Sequence, residues 1–207
     1  MKLAKPFRRV LVGFAALLFA AVATLFAGWL YLDQAFDSSN KTDTAHVVVI
    51  TPGSGVWQIA EALHGANVID DPNIFAAGVW QHSASGRLKA GEYQFPAGTT
   101  PRQAMEIIIS GKSIEHRLTI PEGLTSIEIV RLVENAAALG GEVGTIPPEG
   151  VLLPETYFYR RGDSRVALIS RMASGMKDLI AELWPRRSQD LPLSSPKEAV
   201  VLASIVE

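Results

Sequence analysis

The sequence predicts an α+β protein that begins with a single N-terminal transmembrane helix. Three observations predict this class. First, the stretch from Val10 to Leu32 is apolar and carries no acidic or basic side chain. Second, a short strand-like run followed by a glycine turn and an amphipathic helix occurs three times between residues 47 and 133. Third, the remaining chain is rich in proline, glycine and acidic residues before it returns to helical periodicity.

The apolar stretch, residues 10–32, is long enough to cross a bilayer core as a helix. Four basic residues precede it, and Asp33 and Asp37 follow it. The positive-inside rule therefore places residues 1–9 in the cytoplasm and the bulk of the chain outside the inner (plasma) membrane. A cleaved signal peptide is the alternative, which the length of the stretch and the lack of a small-residue cleavage site disfavour. The polar residues 33–45 are predicted to form a linker.

Composition excludes several classes of function. The formal net charge is −2 and the basic residues are dispersed, which argues against nucleic acid as a partner. The chain has no cysteine, which excludes disulfides, thiolate catalysis and cysteine-ligated zinc. The four histidines fit no metal-ligand spacing, so we predict no metal site.

The repeated unit combines an extended run, a glycine, a Ser/Thr-containing turn and an amphipathic helix. Its copies start at Val47, Tyr93 and Arg117, and the aligned glycines are Gly53, Gly98 and Gly123. A glycine turn leading into a capped helix explains the pattern. In the first copy one helix face is apolar at i, i+3, i+4 and i+7 spacing, through Val56, Ile59, Ala60 and Leu63. Such short units must bury these faces against each other.

Residues 46–117 are therefore predicted to form a compact α+β subdomain. The pattern of its first copy resembles a LysM-like glycan-binding unit, and a capped turn without a ligand is the open alternative. The sequence Gly53-Ser54-Gly55 lacks the Lys-Ser/Thr that a phosphate-binding loop requires, which disfavours that function.

The segment "PPEGVLLPETYFYRRGDS", residues 147–164, is the first candidate for chemistry. Its turns place aromatic rings beside carboxylates, a combination that suits a sugar, which stacks through its C–H face and hydrogen-bonds through its hydroxyls. We take Glu149, Glu155 and Tyr157 as candidate substrate-binding residues. The alternative is an ordinary strand with Tyr157 or Phe158 in the core.

Two helices are predicted after this segment. Ser164–Leu183 has an apolar stripe and is predicted to serve packing only. The second helix starts with a capping box and a proline at Ser195-Pro196-Lys197-Glu198, and residues 199–206 are almost entirely apolar, which predicts a buried helix. A carboxyl at its end, Glu207, would be desolvated, as a general acid requires. Glu207 could equally be a solvated residue.

These motifs together identify a family. The combination of "IPEG", "EGVLLPETYFYRRGDS" and "LPLSSPKEAVVLASIVE" resembles the endolytic murein transglycosylases of the YceG-like (MltG) family, from residue 10 to residue 207. The resemblance implies a membrane anchor, a LysM-like subdomain at residues 46–117 and the start of a catalytic α+β domain at residues 118–207. It implies Glu207 as the catalytic acid/base and no cofactor.

The resemblance also implies a reaction and partners. The expected reaction is lytic cleavage of MurNAc–GlcNAc β-1,4 bonds in nascent peptidoglycan, with one carboxyl serving both proton transfers. The expected partners are glycan strands and the membrane, with peptidoglycan synthases as a further candidate. In the family a long additional segment follows the glutamate, so we expect these 207 residues to be a truncated, incomplete catalytic domain that is inactive alone. The alternatives are a non-catalytic, membrane-tethered peptidoglycan-binding scaffold and an anchored sensor or division protein.

Overall fold

A computed structural model describes residues 5–39 and 42–206, and for residues 5–12 it describes the backbone alone. It confirms the α+β class, and the described chain falls into two compact units, Met1–Lys112 and Ser113–Glu207. The first unit contains α1 (Lys5–Phe36), β1 (His46–Ile50), α2 (Val56–Gly65), α3 (Pro72–Gln81), β2 (Gly91–Phe95) and α4 (Pro101–Ser110). The second contains β3 (Glu115–Thr119), α5 (Ser126–Asn135), β4 (Thr156–Arg160), α6 (Arg165–Leu183), a short 3₁₀ turn (Trp184–Arg186) and α7 (Pro196–Val206).

The three predicted strand–glycine–helix copies are confirmed as β1–α2, β2–α4 and β3–α5. Each turn contains its aligned glycine with a positive φ: 84° at Gly53, 69° at Gly98 and 77° at Gly123. Glycine is the residue that adopts this region without steric cost. The helices of the second and third copies begin with capping boxes formed by Thr100 with Gln103 and by Thr125 with Glu128. In all three copies the chain therefore passes from the strand through a glycine turn into the helix, and in the second and third copies a capping box begins the helix.

The first unit is built on a two-stranded antiparallel sheet. His46 of β1 pairs with Phe95 of β2, and Ile50 pairs with Gly91. The inward residues of the sheet and the apolar faces of α2, α3 and α4 form one core, whose largest buried side chains include Leu63, Phe75, Tyr93 and Phe95. The Tyr93 hydroxyl donates to the carbonyl of Lys89 at 3.0 Å, so its polar atom is satisfied within the core.

Helix α1 continues directly into this core. Its segment Gly13–Phe36 is long and apolar enough to cross a membrane. The structure extends the helix past Leu32, because Phe36 is only 1% exposed and its ring packs on Gly78 of α3. The first residues of the predicted linker are thus helical, since burying Phe36 favours continuing the helix to this position.

The second unit has its own two-stranded antiparallel sheet and its own core. Glu115 of β3 pairs with Arg160 of β4, and Thr119 pairs with Thr156. The sheet, α5 and the first half of α6 enclose the core, to which α6 contributes Leu168, Ile169 and Met172. The predicted stripe of α6 is therefore buried only in part: Val166, Leu179 and Leu183 of that stripe are exposed.

Arg165, the first residue of α6, ties the second unit together. Its guanidinium donates at 2.5–3.3 Å to four backbone carbonyls at and after the end of α5, those of Val133, Glu134, Ala136 and Gly141. The last carbonyls of a helix lack partners within the helix, and a cation also suits the negative end of its dipole.

We expect Arg165→Met to lower the free energy of unfolding of the second unit by about 2–3 kcal/mol, because charge-assisted hydrogen bonds to partly buried carbonyls are lost. Arg131→Met, which removes an exposed arginine of α5, should cost less than about 0.5 kcal/mol. Hydrogen exchange of the α5 amides measures both effects. Equal protection of α5 in the two variants would contradict the role assigned to Arg165.

Candidate active site and glycan-binding surfaces

The start of the predicted sugar-binding segment, residues 147–164, is joined to α5 by Glu149. The backbone N–H of Ser126, the first residue of α5, donates to Glu149 Oε2 at 2.8 Å. The Ser126 hydroxyl donates to the carbonyl of Pro148 at 2.9 Å. A carboxylate at a helix N-terminus is stabilised by the unpaired N–H groups there. Glu149 therefore has a structural contact, and its role in substrate binding stays a prediction.

Tyr157 and Glu155 lie at the start of β4. The Tyr157 hydroxyl donates to the carbonyl of Leu153 at 2.8 Å, and its ring packs partly on the core of the second unit. Burial raises the pKa of Tyr157, and the negative charge of Glu155 raises this pKa further. Tyr157 is thus a neutral, fixed group, while Glu155 is exposed. Of the three predicted residues, Glu155 lies close enough to Tyr157 for its charge to raise the pKa of Tyr157, whereas Glu149 is hydrogen-bonded to α5.

Helix α7 has the predicted start. The backbone N–H of Glu198 donates to Ser195 Oγ at 3.3 Å, and the Glu198 carboxylate accepts the N–H of Ser194 at 2.8 Å. The pKa of Glu198 is lowered, first by the backbone hydrogen bond from Ser194 and then by its hydroxyl. A lowered carboxyl pKa means that this cap is complete above the ordinary pKa of a glutamate and is lost as the pH falls through the lowered value.

The prediction that α7 is a buried helix is wrong for the described part of the chain. None of Pro196–Val206 is buried, and Ile205 and Val206 are 74% and 79% exposed. Within the second unit α7 has a close neighbour at Gly150, where an added Cβ would lie 2.9 Å from Val200 Cγ1. The apolar pattern of this helix is typical of burial, but no described residue covers its outer faces, so these side chains are exposed. Glu207 itself lies outside the described residues.

A second candidate surface lies at the first glycine turn. A groove of about 330 Å³ is lined by the end of β1, the turn and the first turns of α2, including Thr51, Gly53, Ser54 and Gln58. The hydroxyls of Thr51 and Ser54 are 2.8 Å apart, and the side-chain Oε1 of Gln58 accepts the N–H of Gly55 at 2.9 Å. Hydroxyl and amide groups in an open groove can hydrogen-bond a sugar, and they equally stabilise a turn without a ligand.

Sequence reasoning missed a polar cluster where α1 meets α3 and α4. Arg102 of α4 donates to both Asp33 and Asp37 of α1, at 3.0 Å to Asp33, and its Nη1 donates to His82 Nε2 at 2.7 Å. His82 Nδ1 lies 2.9 Å from the carbonyl of Gly78, so both contacts are satisfied by the neutral histidine protonated at Nδ1. The hydrogen bond from Arg102 lowers the pKa of Asp37. The partners are up to 69 residues apart, and no local pattern connects them.

The described part of the chain contains no candidate metal site. No group of three or more His, Asp or Glu side chains among those residues could hold a metal ion.

Comparison with known proteins adds a family to this geometry. The sequence model of the YceG-like family matches residues 48–207. A 2.6 Å crystal structure of a protein from Listeria monocytogenes, described as YceG-like, shares 22% sequence identity and superimposes with a TM-score of 0.39. The alignment covers 70% of this chain and 57% of the Listeria protein. A search of curated proteins found no match.

Proposed function

The chain belongs to the YceG-like family, and we propose that it is a membrane-anchored lytic transglycosylase, a lyase that acts on peptidoglycan. The proposed reaction cleaves the β-1,4 bond between MurNAc and GlcNAc within nascent glycan strands. It leaves 1,6-anhydroMurNAc ends and so terminates strand elongation. The observation that carries the proposal is the family match, which extends through the whole segment ending in "LASIVE" at residue 207.

In the proposed mechanism Glu207 acts twice. As the carboxylic acid it protonates the glycosidic oxygen while the bond from that oxygen to C1 of MurNAc breaks. As the carboxylate it then takes the proton of the C6 hydroxyl of the same sugar, whose oxygen attacks C1 and closes the anhydro ring. The carboxyl ends protonated, no water is consumed, and a second carboxylate at hydrolase spacing is not required.

One contact of the described residues joins α7 to the predicted sugar-binding segment. Val200 of α7 packs beside Gly150, the residue that follows Glu149. This contact supports our proposal that Glu149, Glu155 and Tyr157 of the same segment bind the glycan.

We further propose that α1 anchors the protein in the plasma membrane, with residues 1–9 in the cytoplasm. The support is the apolar length of Gly13–Phe36 and the basic residues that precede it. Residues 46–117 would act outside the membrane as a LysM-like glycan-binding subdomain, and residues 118–207 as the start of the catalytic domain. Peptidoglycan synthases remain candidate partners.

The second candidate function is a non-catalytic, membrane-tethered peptidoglycan-binding scaffold. It is favoured by the groove beside Gly53, which offers hydrogen-bonding groups without a catalytic acid. Such a protein would bind glycan strands and leave them intact.

One experiment separates the two functions. The protein, as its gene encodes it, is reconstituted in detergent micelles, incubated with peptidoglycan glycan strands, and its products are identified by mass spectrometry. The transglycosylase predicts new 1,6-anhydroMurNAc ends, each one water lighter than a hydrolysed end. Binding of the strands without cleavage would support the scaffold, and new reducing ends would contradict the proposed chemistry.

A further inference from the structure

The outer face of the β3–β4 sheet carries a regular set of side chains. Alternate residues of a strand point to opposite sides, so three cross-strand pairs share this face. Glu115 and Arg160 form an ion pair at 2.9 Å, and the hydroxyls of Thr119 and Thr156 are 2.9 Å apart. Between these two pairs, Arg117 lies opposite Phe158. The opposite side of the sheet faces the core through residues such as Leu118 and Tyr159.

Phe158 differs from its two aromatic neighbours. Tyr159 is 7% exposed and Tyr157 packs partly on the core, whereas Phe158 is 57% exposed. Its backbone is fixed, because the carbonyl of Phe158 accepts a hydrogen bond from Arg171 of α6 at 3.0 Å. A single exposed aromatic residue is common in proteins and indicates nothing alone. Here the ring is held on a rigid strand with polar groups on both sides of it.

Arg117 supplies the charge of this face. Glu115 and Arg160 neutralise each other, while Arg117 is exposed and has no hydrogen-bond or ion-pair partner among the described residues. The face therefore presents one uncompensated positive charge directly beside an aromatic ring. A guanidinium binds a carboxylate through two parallel N–H groups, which gives it a preference for that anion.

We propose that this face binds a saccharide that bears a carboxylate. The pyranose C–H face stacks on the ring of Phe158, Arg117 pairs with the carboxylate, and the hydroxyls of Thr119 and Thr156 exchange hydrogen bonds with the sugar. From residue 115 to residue 119 the face is about 13 Å long, enough for two sugar rings. In identifying the saccharide with peptide-free MurNAc glycan, whose lactyl carboxylate is free because no stem peptide is bonded to it, this inference rests on the proposed function.

The test measures binding separately from cleavage. The full chain carrying Glu207→Gln, in detergent micelles, is titrated with peptide-free GlcNAc–MurNAc strands and with chitotetraose, which has no carboxylate. Phe158→Ala should weaken binding of both saccharides by about 3- to 10-fold, because both lose the stacked ring. Arg117→Gln should weaken only the carboxylate-bearing strands, by about 3- to 10-fold, and this loss should shrink at high salt.

Matched variants control for general effects. Phe158→Trp keeps an aromatic face and should retain binding. Val166→Ala removes a similarly exposed apolar side chain from α6, 50% exposed against 57% for Phe158, and Arg131→Gln removes an exposed arginine from α5. Both should bind like the parent chain. Unchanged affinity of Phe158→Ala and Arg117→Gln, or absence of binding by the parent, would overturn the inference.

The outcome also distinguishes this inference from the proposed function. If Phe158→Ala loses binding while the protein without the Glu207 substitution forms no 1,6-anhydro products, the binding face is supported and the transglycosylase activity is refuted. If those products form and the KM is unchanged in both Phe158→Ala and Arg117→Gln, the transglycosylase activity is supported and the proposed binding face is refuted.

Discussion

Glu207→Gln, in the protein as its gene encodes it, is expected to lower the rate of 1,6-anhydroMurNAc formation by about 10²- to 10⁴-fold. An amide of the same size cannot protonate the glycosidic oxygen, and it cannot take the proton of the C6 hydroxyl. Because the proposed mechanism uses one group for both transfers, no second residue compensates for the loss. Binding of glycan strands should remain within a few-fold of the parent, since the side-chain volume is conserved.

The measurement is product formation under single-turnover conditions, followed by mass spectrometry. Glu142→Gln is the matched control, because Glu142 is an exposed glutamate of the second unit with no proposed part in the site. Cleavage retained by Glu207→Gln and lost in Glu149→Gln or Glu155→Gln would move the acid to one of those residues. The Glu149 variant needs a folding check, because its carboxylate accepts the N–H of Ser126.

Local sequence signals predicted the parts of this fold that depend on local physics. The turns at Gly53, Gly98 and Gly123 were predictable because a positive φ selects glycine whatever the surroundings are. The start of α7 was predictable for the same kind of reason, since Ser195 and Glu198 satisfy N–H groups a few residues away. The α+β class follows from these units, each of which adds a strand and a helix.

Features that depend on distant partners could not be predicted. The contact between Glu149 and Ser126 joins residues 23 positions apart, and nothing near Glu149 distinguishes a helix-capping carboxylate from a ligand-binding one. The exposure of α7 has a similar origin, because an apolar helix indicates that a surface covers it without indicating which surface. The exposed position of Phe158 could have been inferred from strand alternation once Tyr159 was assigned to the core.

The second large effect is expected at Gly78, where two physical terms oppose each other. Alanine is the better helix former by about 1 kcal/mol, which favours Gly78→Ala in α3. However, the new Cβ would lie 2.2–2.6 Å from three ring atoms of Phe36, far inside van der Waals contact. Overpacking of a core costs about 1–3 kcal/mol, and expelling the ring would forfeit about 1.5–3 kcal/mol of burial. Subtracting the gain in helix propensity, we expect a net loss of about 0.5–2 kcal/mol.

The exchange of α3 amides with deuterium should then accelerate by about 2- to 25-fold in the full chain in micelles, since each 1.4 kcal/mol is about tenfold. Gly65→Ala is the matched control, because no atom lies within 4 Å of the Cβ added at this α2 glycine. In a Phe36→Ala background the ring is absent, so the same Gly78→Ala change should become neutral or stabilising. Equal destabilisation in both backgrounds would show that α3, rather than its contact with α1, sets the cost.

This double-mutant comparison tests how strongly α1 is packed against the rest of the first unit. Phe36 is a core residue of the first unit and also the last residue of α1, and Arg102 fixes the same turn through Asp33 and Asp37. A coupling of 1 kcal/mol or more between positions 36 and 78, of about the size that contacting residues show, would mean that the unit is docked on the end of α1. The subdomain would then be held next to the apolar span of α1, and that contact would set how far from the span the proposed glycan-binding groups can reach.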